Sequence, residues 1–329
     1  MNAMPRNSRT FLTAALAVLA AGALPLPVAA QTIYASGQFL TASGTRENRI
    51  YAVNPATGAA TPTSPLLPND PPGLAGTPDG RLLGYSGGQL GQLDPGRGAF
   101  SPIGPPSNIN STGFDITADG RGFLVGLSGV PQLYGVNIMT GAASAVGAPG
   151  ALGAGIDAAF GLTPGTSKPF IIGLGSVGGT LYGVDLETGM TNLVAIDPTT
   201  GAARPIGARN ALGDFGGGRY SGFSALTGVD TTGSGRFDAL YGSVNFDALS
   251  PNPQNRIGGV ARFDLTTGTF SLAGANPGLI FFGFGSSPAA PVPEASTLVS
   301  FGLLGLGLIA LARRGARAGA REARHEPPV

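Results

Sequence analysis

The sequence has no cysteine, no tryptophan, one lysine and one histidine. Without cysteine the chain forms no disulfide, has no thiolate ligand for a metal and carries no cysteine nucleophile. The single histidine, His325, lies close to the C-terminus. Catalytic arrangements that pair Ser or Cys with His, and ordinary zinc sites, are therefore excluded from the chain before it. Carboxylates, hydroxyls, tyrosines and Lys168 are the remaining acid–base groups.

Charge is also sparse, since only 11% of the residues are charged. Residues 31–290 contain 12 basic and 15 acidic side chains, so this part of the chain is weakly acidic. Binding to the phosphates of nucleic acid needs a concentrated Lys/Arg face, and we therefore expect no nucleic-acid partner. Glycosidases work with paired carboxylates, but the scattered acids here single out no pair.

Residues 1–30 have the layout of a secretory signal peptide. Arg6 and Arg9 precede an apolar run at 11–24, and the segment ends in the small residues Val-Ala-Ala. This order of basic, apolar and small residues is typical of a cleaved signal, so the mature chain should begin near Gln31. An uncleaved N-terminal anchor is the alternative.

A second apolar run lies near the other end of the chain. Residues 297–312 follow a short polar motif at 291–296 and precede a basic tail at 313–329. As a helix, the run would span roughly 24 Å, slightly less than a hydrocarbon core. The arginines after it predict a cytoplasmic tail, with the preceding chain on the opposite side. We therefore predict one C-terminal transmembrane helix; a buried core helix is the alternative.

The order of polar motif, apolar helix and arginine cluster resembles the PEP-CTERM sorting signal of Gram-negative bacteria that produce exopolysaccharide. Val292, Pro293 and Glu294 match the motif, and Arg313 and Arg314 match the basic stop. The family usually has a second proline after the glutamate, where this chain has alanine.

This resemblance implies a membrane partner, an exosortase-type protease that acts near the Pro-Glu step. It also implies two fates for the protein. The chain stays anchored in the inner membrane with its body on the periplasmic side, or it is released after processing to the cell surface or extracellular matrix. Exopolysaccharide and matrix proteins are the further partners that the resemblance suggests.

A short repeat runs through residues 31–290. In each copy an apolar strand ends in Asp or Asn, and a glycine follows four residues later. The five glycines are Gly58, Gly98, Gly141, Gly201 and Gly268. An Asp or Asn side chain accepts hydrogen bonds from backbone N–H groups two residues on, and glycine supplies the left-handed turn residue. The repeat therefore predicts hairpins, and these aspartates are turn formers rather than ligands or catalysts.

A second landmark keeps the same period. Thr-x-Asp-Gly-Arg occurs at 77–81 and again at 117–121, so each period of about 40 residues holds two hairpins, or four strands. Four short strands per 40 to 45 residues are typical of a β-propeller blade. The repeat also resembles those of secreted bacterial β-propeller proteins of unknown function.

We therefore predict an all-β fold, a β-propeller of five four-stranded blades at residues 31–290. The period lengthens after Gly141. Either two blades carry insertions, or a sixth blade is hidden. Residues 33–40 and 279–284 are further predicted strands, and their pairing in one blade would close the ring and remove exposed edges.

One stretch has the spacing of a calcium-binding loop. Asp230, Thr232, Ser234 and Asp238 lie at positions 1, 3, 5 and 9, with glycine at position 6. Alternate oxygen side chains and a glycine turn converge on one hard cation in such loops, but the terminal glutamate is missing here. The alternative is a turn that carries polar side chains and binds no metal, which we call a decorated turn. No other cofactor is expected.

Two functions remain after these exclusions. The first is an exported, anchored or processed surface or matrix protein whose propeller is a non-enzymatic interaction scaffold. The second is an exported carboxylate-dependent hydrolase or lactonase-type enzyme. The fold does not choose between them, because propellers carry many activities. Acids that converge on the central channel would favour the enzyme, and a channel lined with Gly, Ala and Ser would favour the scaffold.

Overall fold

The computed structural model describes residues 31–67, 73–127, 130–187, 191–213, 222–246, 252 and 255–286. The predicted signal peptide and sorting segment lie outside these ranges, as do the five residues Val292, Pro293, Glu294, Arg313 and Arg314. Within the described ranges, no helix is long and apolar enough to cross a membrane. Ala29–Ala290 group into one compact unit.

Twenty strands in the described part of the chain form five four-stranded antiparallel sheets. In chain order, the first eleven strands are β1 (Ile33–Leu40), β2 (Arg46–Val53), β3 (Ala60–Pro62), β4 (Gly73–Gly76), β5 (Leu82–Ser86), β6 (Gln89–Leu93), β7 (Phe100–Pro102), β8 (Ser111–Ile116), β9 (Gly122–Gly126), β10 (Gln132–Val136) and β11 (Ala143–Val146). The remaining strands are β12 (Ile171–Val177), β13 (Thr180–Asp185), β14 (Asn192–Ile196), β15 (Ala203–Pro205), β16 (Gly222–Val229), β17 (Ala239–Phe246), β18 (Ile257–Phe263), β19 (Phe270–Pro277) and β20 (Leu279–Gly285).

The sheets are arranged as the blades of a propeller. Four of them run outwards in chain order, from β4 to β7, β8 to β11, β12 to β15 and β16 to β19. In the first blade the order is β20, β1, β2 and β3. The inner strands β4, β8, β12, β16 and β20 each contact the inner strands of both neighbouring blades, which closes a ring. The chain is thus a five-bladed β-propeller, as the repeat predicted, and the alternative count of six is wrong.

The ring is closed by the two ends of the described chain. β20 pairs antiparallel with β1, from Tyr34 opposite Gly285 to Phe39 opposite Leu279. The C-terminal strand is therefore the innermost strand of a blade whose other three strands come from the N-terminus. This pairing confirms the predicted closure and covers the inner edge of β1, which would otherwise be an unpaired strand edge.

The five repeat glycines all occupy the hairpin between the third and fourth strands of a blade. Asn54 Oδ1, for example, accepts hydrogen bonds from the N–H groups of Ala56 and Thr57 at 2.9 and 3.3 Å. The five glycines have φ between 66° and 73°, in the left-handed region that favours glycine. The turn-forming interpretation of these Asp and Asn residues is therefore confirmed.

Insertions explain the irregular spacing after Gly141. Residues 147–170 connect the third and fourth blades and contain the only α-helix of the described residues, α1 (Ala151–Phe160). Leu152 and Ile156 of this helix are buried against the inter-blade core. The fifth blade adds length in another way, because its strands are seven or eight residues long. The helix was not expected from the sequence.

The core lies between the blades. Each large cluster of buried side chains joins neighbouring sheets, as when Val125 of β9 and Leu133 of β10 pack with Leu174 of β12 and Leu181 of β13. Full burial of one such side chain contributes about 1.5–3 kcal/mol. The inter-blade packing therefore fixes the inner strands, and these strands build the site described next.

Candidate functional site

A cavity of about 250 Å³ opens at one mouth of the central channel. All five inner strands contribute to its wall, together with Tyr85, Ser86 and Gly87 around the turn that follows β5. We call this cavity the channel-mouth cup. Because every blade supplies part of the wall, its shape depends on the complete ring.

The cup is shaped by irregularities in the inner strands. Four of the five inner strands slip in register against the next strand of their blade at this level. The slipped residues are Thr112 in β8, Gly173 and Leu174 in β12, Ser224 and Ala225 in β16, and Phe282 in β20. Each of them lines the cup. A β-bulge leaves a residue outside the ladder and redirects its side chain, so the bulges build the wall.

Hydrogen bonds between blades hold the bulged residues in place. Thr112 Oγ1 donates to the carbonyl of Ile171 at 2.6 Å, which joins the third blade to the fourth. Asn245 Nδ2 donates to Ser224 Oγ at 2.7 Å and to the carbonyl of Phe281 at 2.8 Å, and the N–H of Phe281 donates to Asn245 Oδ1 at 2.9 Å. Asn245 therefore clamps the fifth blade to the first, directly beside the bulge at Phe282.

The wall of the cup carries no charged side chain. Among the described residues that line it there is no Asp, Glu, Lys or Arg, and Tyr85 is the one titratable group. Burial raises the pKa of Tyr85, and its hydroxyl donates to the carbonyl of Ile109 at 3.1 Å and is hydrogen-bonded to the Ser107 hydroxyl. A tyrosine held neutral in this way is not an activated base or nucleophile. The described wall of the cup thus consists of hydrogen-bonding and apolar groups, with Tyr85 as its one titratable side chain.

Asp115 in β8 is the one acid on the five inner strands. Its side chain is fully buried, and burial raises its pKa to about 8 against smaller opposing effects of Ser176 and the N–H of Ile116. The carboxyl group is therefore largely neutral at pH 7. Within the described residues of the inner strands Asp115 has no second carboxyl beside it, so these residues do not supply the pair of carboxylates that glycosidases use.

This buried acid makes stability depend on pH. Between the ordinary value of 3.8 and about 8, the folded chain keeps the Asp115 proton while the unfolded chain loses it, so stability falls as pH rises across this window. We expect Asp115→Asn to stabilise the protein at pH 8 by about 1 kcal/mol or more and to flatten this part of the profile. Thermal melts from pH 4 to pH 9 measure the effect. Parallel profiles for the two proteins would show that Asp115 is ionised in the fold.

The predicted calcium residues do share one loop, between β16 and β17. Asp230 is buried, and its Oδ1 accepts from the N–H groups of Thr232 and Ser234 at 3.2 and 3.0 Å. Its Oδ2 accepts from the N–H of Gly235 at 2.7 Å. Asp238 Oδ1 accepts from the N–H and hydroxyl of Thr231 at 2.8 and 2.9 Å. Protein donors thus surround the oxygens that a cation would need.

This geometry favours the decorated turn, although calcium binding stays a prediction. In the described ranges, no group of three or more Asp, Glu, His or Cys residues could hold a metal. The carboxylate of Asp230 instead organises the loop, as the asparagines and aspartates of the repeat do.

We expect Asp230→Ala to destabilise the propeller by about 2–3 kcal/mol, because it leaves several N–H groups without an acceptor. Thr232→Ala removes a 3.3 Å hydroxyl contact to the same carboxylate and a hydroxyl contact to Asp238, but it leaves the backbone donors in place, so it should cost no more than about 1 kcal/mol. Millimolar calcium should leave the melting temperature of the unsubstituted protein unchanged. A calcium-dependent rise that Asp230→Ala removes would instead establish a metal site.

The fold and the cup define the chain as a five-bladed β-propeller with an uncharged channel mouth. No family model and no curated protein matches the sequence. Solved structures that it resembles include a chain of the nidogen–laminin complex, with 12% identity over 78% of this chain and 98% of that one and a TM-score of 0.44.

Two enzymes are also among the similar structures. The gluconolactonase XC5397 of Xanthomonas campestris has 13% identity over 80% of this chain and 78% of its own, with a TM-score of 0.39. Virginiamycin B lyase of Staphylococcus aureus has 12% identity over 73% and 68%, with a TM-score of 0.34. At this identity and with TM-scores below 0.5, these likenesses carry no argument about the activity of this chain.

Proposed function

We propose that the chain is an exported surface or extracellular-matrix protein whose propeller is a non-enzymatic interaction scaffold. The observation that carries the proposal is the channel-mouth cup, where the described wall consists of hydroxyls, glycine backbone and apolar side chains and has no charged group. Hydrolysis at such a site would need an acid, a base or a bound metal, and the described lining residues supply no side chain suited to these roles.

The proposed route to the surface follows from the two ends of the sequence. Residues 1–30 direct export, and the segment 291–329 directs sorting. An exosortase-type protease recognises Val292, Pro293 and Glu294, while the predicted helix at 297–312 with its arginine stop holds the unprocessed chain in the inner membrane. In support of this division, β20, the last strand of the ring, ends at Gly285, a few residues before the sorting motif. The processed protein joins the matrix, where exopolysaccharide or matrix proteins bind it.

A second candidate is a carboxylate-dependent hydrolase or a lactonase-type enzyme. The observation in its favour is Asp115, because a buried acid with a raised pKa is common at catalytic sites. Its separation from a second carboxyl argues against the role. If the protein turned over lactones or glycosides and Asp115→Asn abolished that turnover, the enzyme would replace the scaffold.

Binding to matrix tests the scaffold proposal. We expect the full chain to co-sediment with exopolysaccharide from the producing cells, without release of sugar or acid. Asn245→Ala should weaken this binding about tenfold, since it frees both Ser224 and Phe281 at the cup. Soluble sugar products in the supernatant would contradict a non-enzymatic scaffold.

The chain offers a matched control for that substitution. Asn276 in β19 also clamps the fifth blade to the first, by donating to the carbonyls of Gly58 and Gly258 at 2.9 and 3.2 Å, but it lies away from the cup. Asn276→Ala should therefore cost similar stability and leave matrix binding unchanged. Equal loss of binding in both variants would show that binding is lost because the ring is less stable, and not because the cup has changed.

A further inference from the structure

The inner strands present backbone groups to the cup. Each of them pairs with a neighbour on one side only, so the edge that faces the channel axis has no ladder partner. The four bulges add residues that are outside the ladder at the level of the cup. N–H donors and C=O acceptors are therefore mixed around an uncharged wall.

The side-chain hydroxyls of the wall add further hydrogen-bond donors and acceptors. Ser111 and Thr112 donate to backbone carbonyls, at 2.9 and 2.6 Å, and Ser111 Oγ also accepts from the N–H of Gly113 at 3.3 Å. A hydroxyl oxygen has two lone pairs, so both oxygens keep capacity to accept a further hydrogen bond. Ser224 Oγ accepts from Asn245 and keeps its own proton to donate. A ligand in the cup thus meets both kinds of partner within a short distance.

Phe282 adds an aromatic ring at the same wall. Its side chain is 37% exposed, whereas Phe281 and Phe284 on the same strand are 0% and 1% exposed. The bulge in β20 accounts for the difference, because Gly37 pairs with Phe281 and Ser36 with Gly283, and Phe282 has no partner between them. An exposed ring beside polar groups suits a ligand that is apolar on one face and polar at its edge.

These properties select the chemical class of the ligand. A charged ligand would lose its hydration without finding a counter-charge, and an apolar ligand would leave the backbone groups without partners. A polyol fits, because each of its hydroxyls both donates and accepts. The volume of about 250 Å³ lies below the roughly 300–1,000 Å³ of drug-sized pockets, so the ligand is small.

We propose that the channel-mouth cup binds one neutral sugar residue, a terminal unit of a matrix polysaccharide, with Phe282 packed against the ring of the sugar. This proposal rests on the proposed function and names its ligand. The site is independent of the calcium-like loop and of the turn residues that the sequence repeat identified.

The test uses the full chain in lipid nanodiscs, with empty nanodiscs as the blank. Methyl glucoside, galactoside and mannoside are the neutral probes, and glucuronate and glucosamine are charged counterparts. We expect at least one neutral glycoside to bind in a ligand-observed NMR titration, and the charged sugars to bind about tenfold more weakly or not at all. Absence of binding by every neutral glycoside would overturn the proposal, and so would equal binding of the charged sugars.

Substitutions at the ring give a second readout. Phe282→Leu keeps apolar bulk but removes the aromatic face, and should weaken binding about tenfold, whereas Phe282→Tyr should retain it. Phe39→Leu is the control, since Phe39 is equally exposed on the adjacent strand and does not line the cup. Unchanged affinity in Phe282→Leu would contradict the stacking role.

The two proposals fail in different ways. If glycosides do not bind but the protein still co-sediments with matrix, the sugar site is wrong and the scaffold stands. If glycosides bind and the protein does not associate with matrix, the scaffold and the matrix origin of the sugar are wrong, and only the neutral-sugar site stands.

Discussion

A chain that ends after Gly278, and so lacks β20, loses the cooperative melting of the entire propeller. β20 is the innermost strand of the first blade and contacts the inner strands β4 and β16 of both neighbouring blades. Its removal uncovers the edge of β1 and opens the ring. It also deletes Phe281 and Phe284, whose side chains are 0% and 1% exposed and lie in the buried cluster that joins the first blade to the fifth.

The loss should be complete rather than partial. Each of these phenylalanines alone would cost about 3–5 kcal/mol on truncation to alanine, and a typical domain is stable by only about 5–15 kcal/mol. The matched control ends after Ser286, eight residues later, and retains β20. We expect the longer chain to melt in one sharp transition by circular dichroism or calorimetry, and the shorter one to show none. A sharp transition in the shorter chain would show that the blades fold without closure.

Gly104→Ala should be strongly destabilising for a substitution at a surface turn. Gly104 lies shortly after β7, the fourth strand of the second blade, and a Cβ there would lie 1.8 Å from the carbonyl oxygen of Thr140 in the third. The contact is reciprocal, because a Cβ on Gly141 would lie 2.3 Å from the carbonyl oxygen of Ile103. The atoms that an added Cβ would meet at this junction belong to the backbone. The clash therefore cannot be relieved by the movement of a flexible side chain.

The same close contact between a glycine and a backbone carbonyl recurs at other junctions between blades. A Cβ would lie within 2.1 Å of a carbonyl oxygen of the next blade at each of three further glycines, which are Gly147, Gly207 and Gly274. The blades therefore approach as closely as they do because the outer strand ends and the repeat turns both lack side chains. The close approach of neighbouring blades therefore explains the glycines near the outer strands, in addition to the glycines that the turns require.

Two control substitutions separate collision from backbone strain. Gly120 has φ +84° with open space around it, so Gly120→Ala should cost only about 1–2 kcal/mol of strain. Gly96 has no positive φ and its nearest atom is Asp94 Oδ1 at 3.5 Å, so Gly96→Ala should be neutral within about 0.5 kcal/mol. Gly104→Ala should exceed both, with a cost of about 3 kcal/mol or more. Urea denaturation measures the change in the free energy of unfolding for all three variants. Equal costs for Gly104→Ala and Gly120→Ala would show that no backbone collision occurs at Gly104.

The blade count could be predicted from the sequence because it rests on local chemistry. Asp or Asn with glycine four residues later forms a turn by its own side chain, and five copies each mark the last hairpin of a blade. A further copy, Asp185 with Gly189, begins at the end of β13 inside the fourth blade, which is why the sequence alone left six blades open. Helix α1 gave no such signal. Its N-terminal residue Gly150 has no side-chain cap and its first turn has no acid, and its burial depends on strands distant in the sequence.

The site could not be predicted for the same physical reason. Thr112 and Phe282 are at the wall because their strands slip by one residue against a neighbour, and this register is set by packing across the whole ring. The calcium-like spacing at Asp230 is real in the sequence. Spacing alone does not reveal that the backbone N–H groups of the loop turn inwards to the carboxylate.

The mass of the mature protein in cells with and without an exosortase tests the proposed export and sorting of the chain most directly. With the protease, we predict a surface or matrix protein that begins near Gln31 and ends close to Pro293 and Glu294. Without it, the chain should remain in the inner membrane with the segment 294–329 attached. A protein that keeps residues 1–30 and stays inside the cell would contradict export, and an intact C-terminal segment in both strains would contradict sorting.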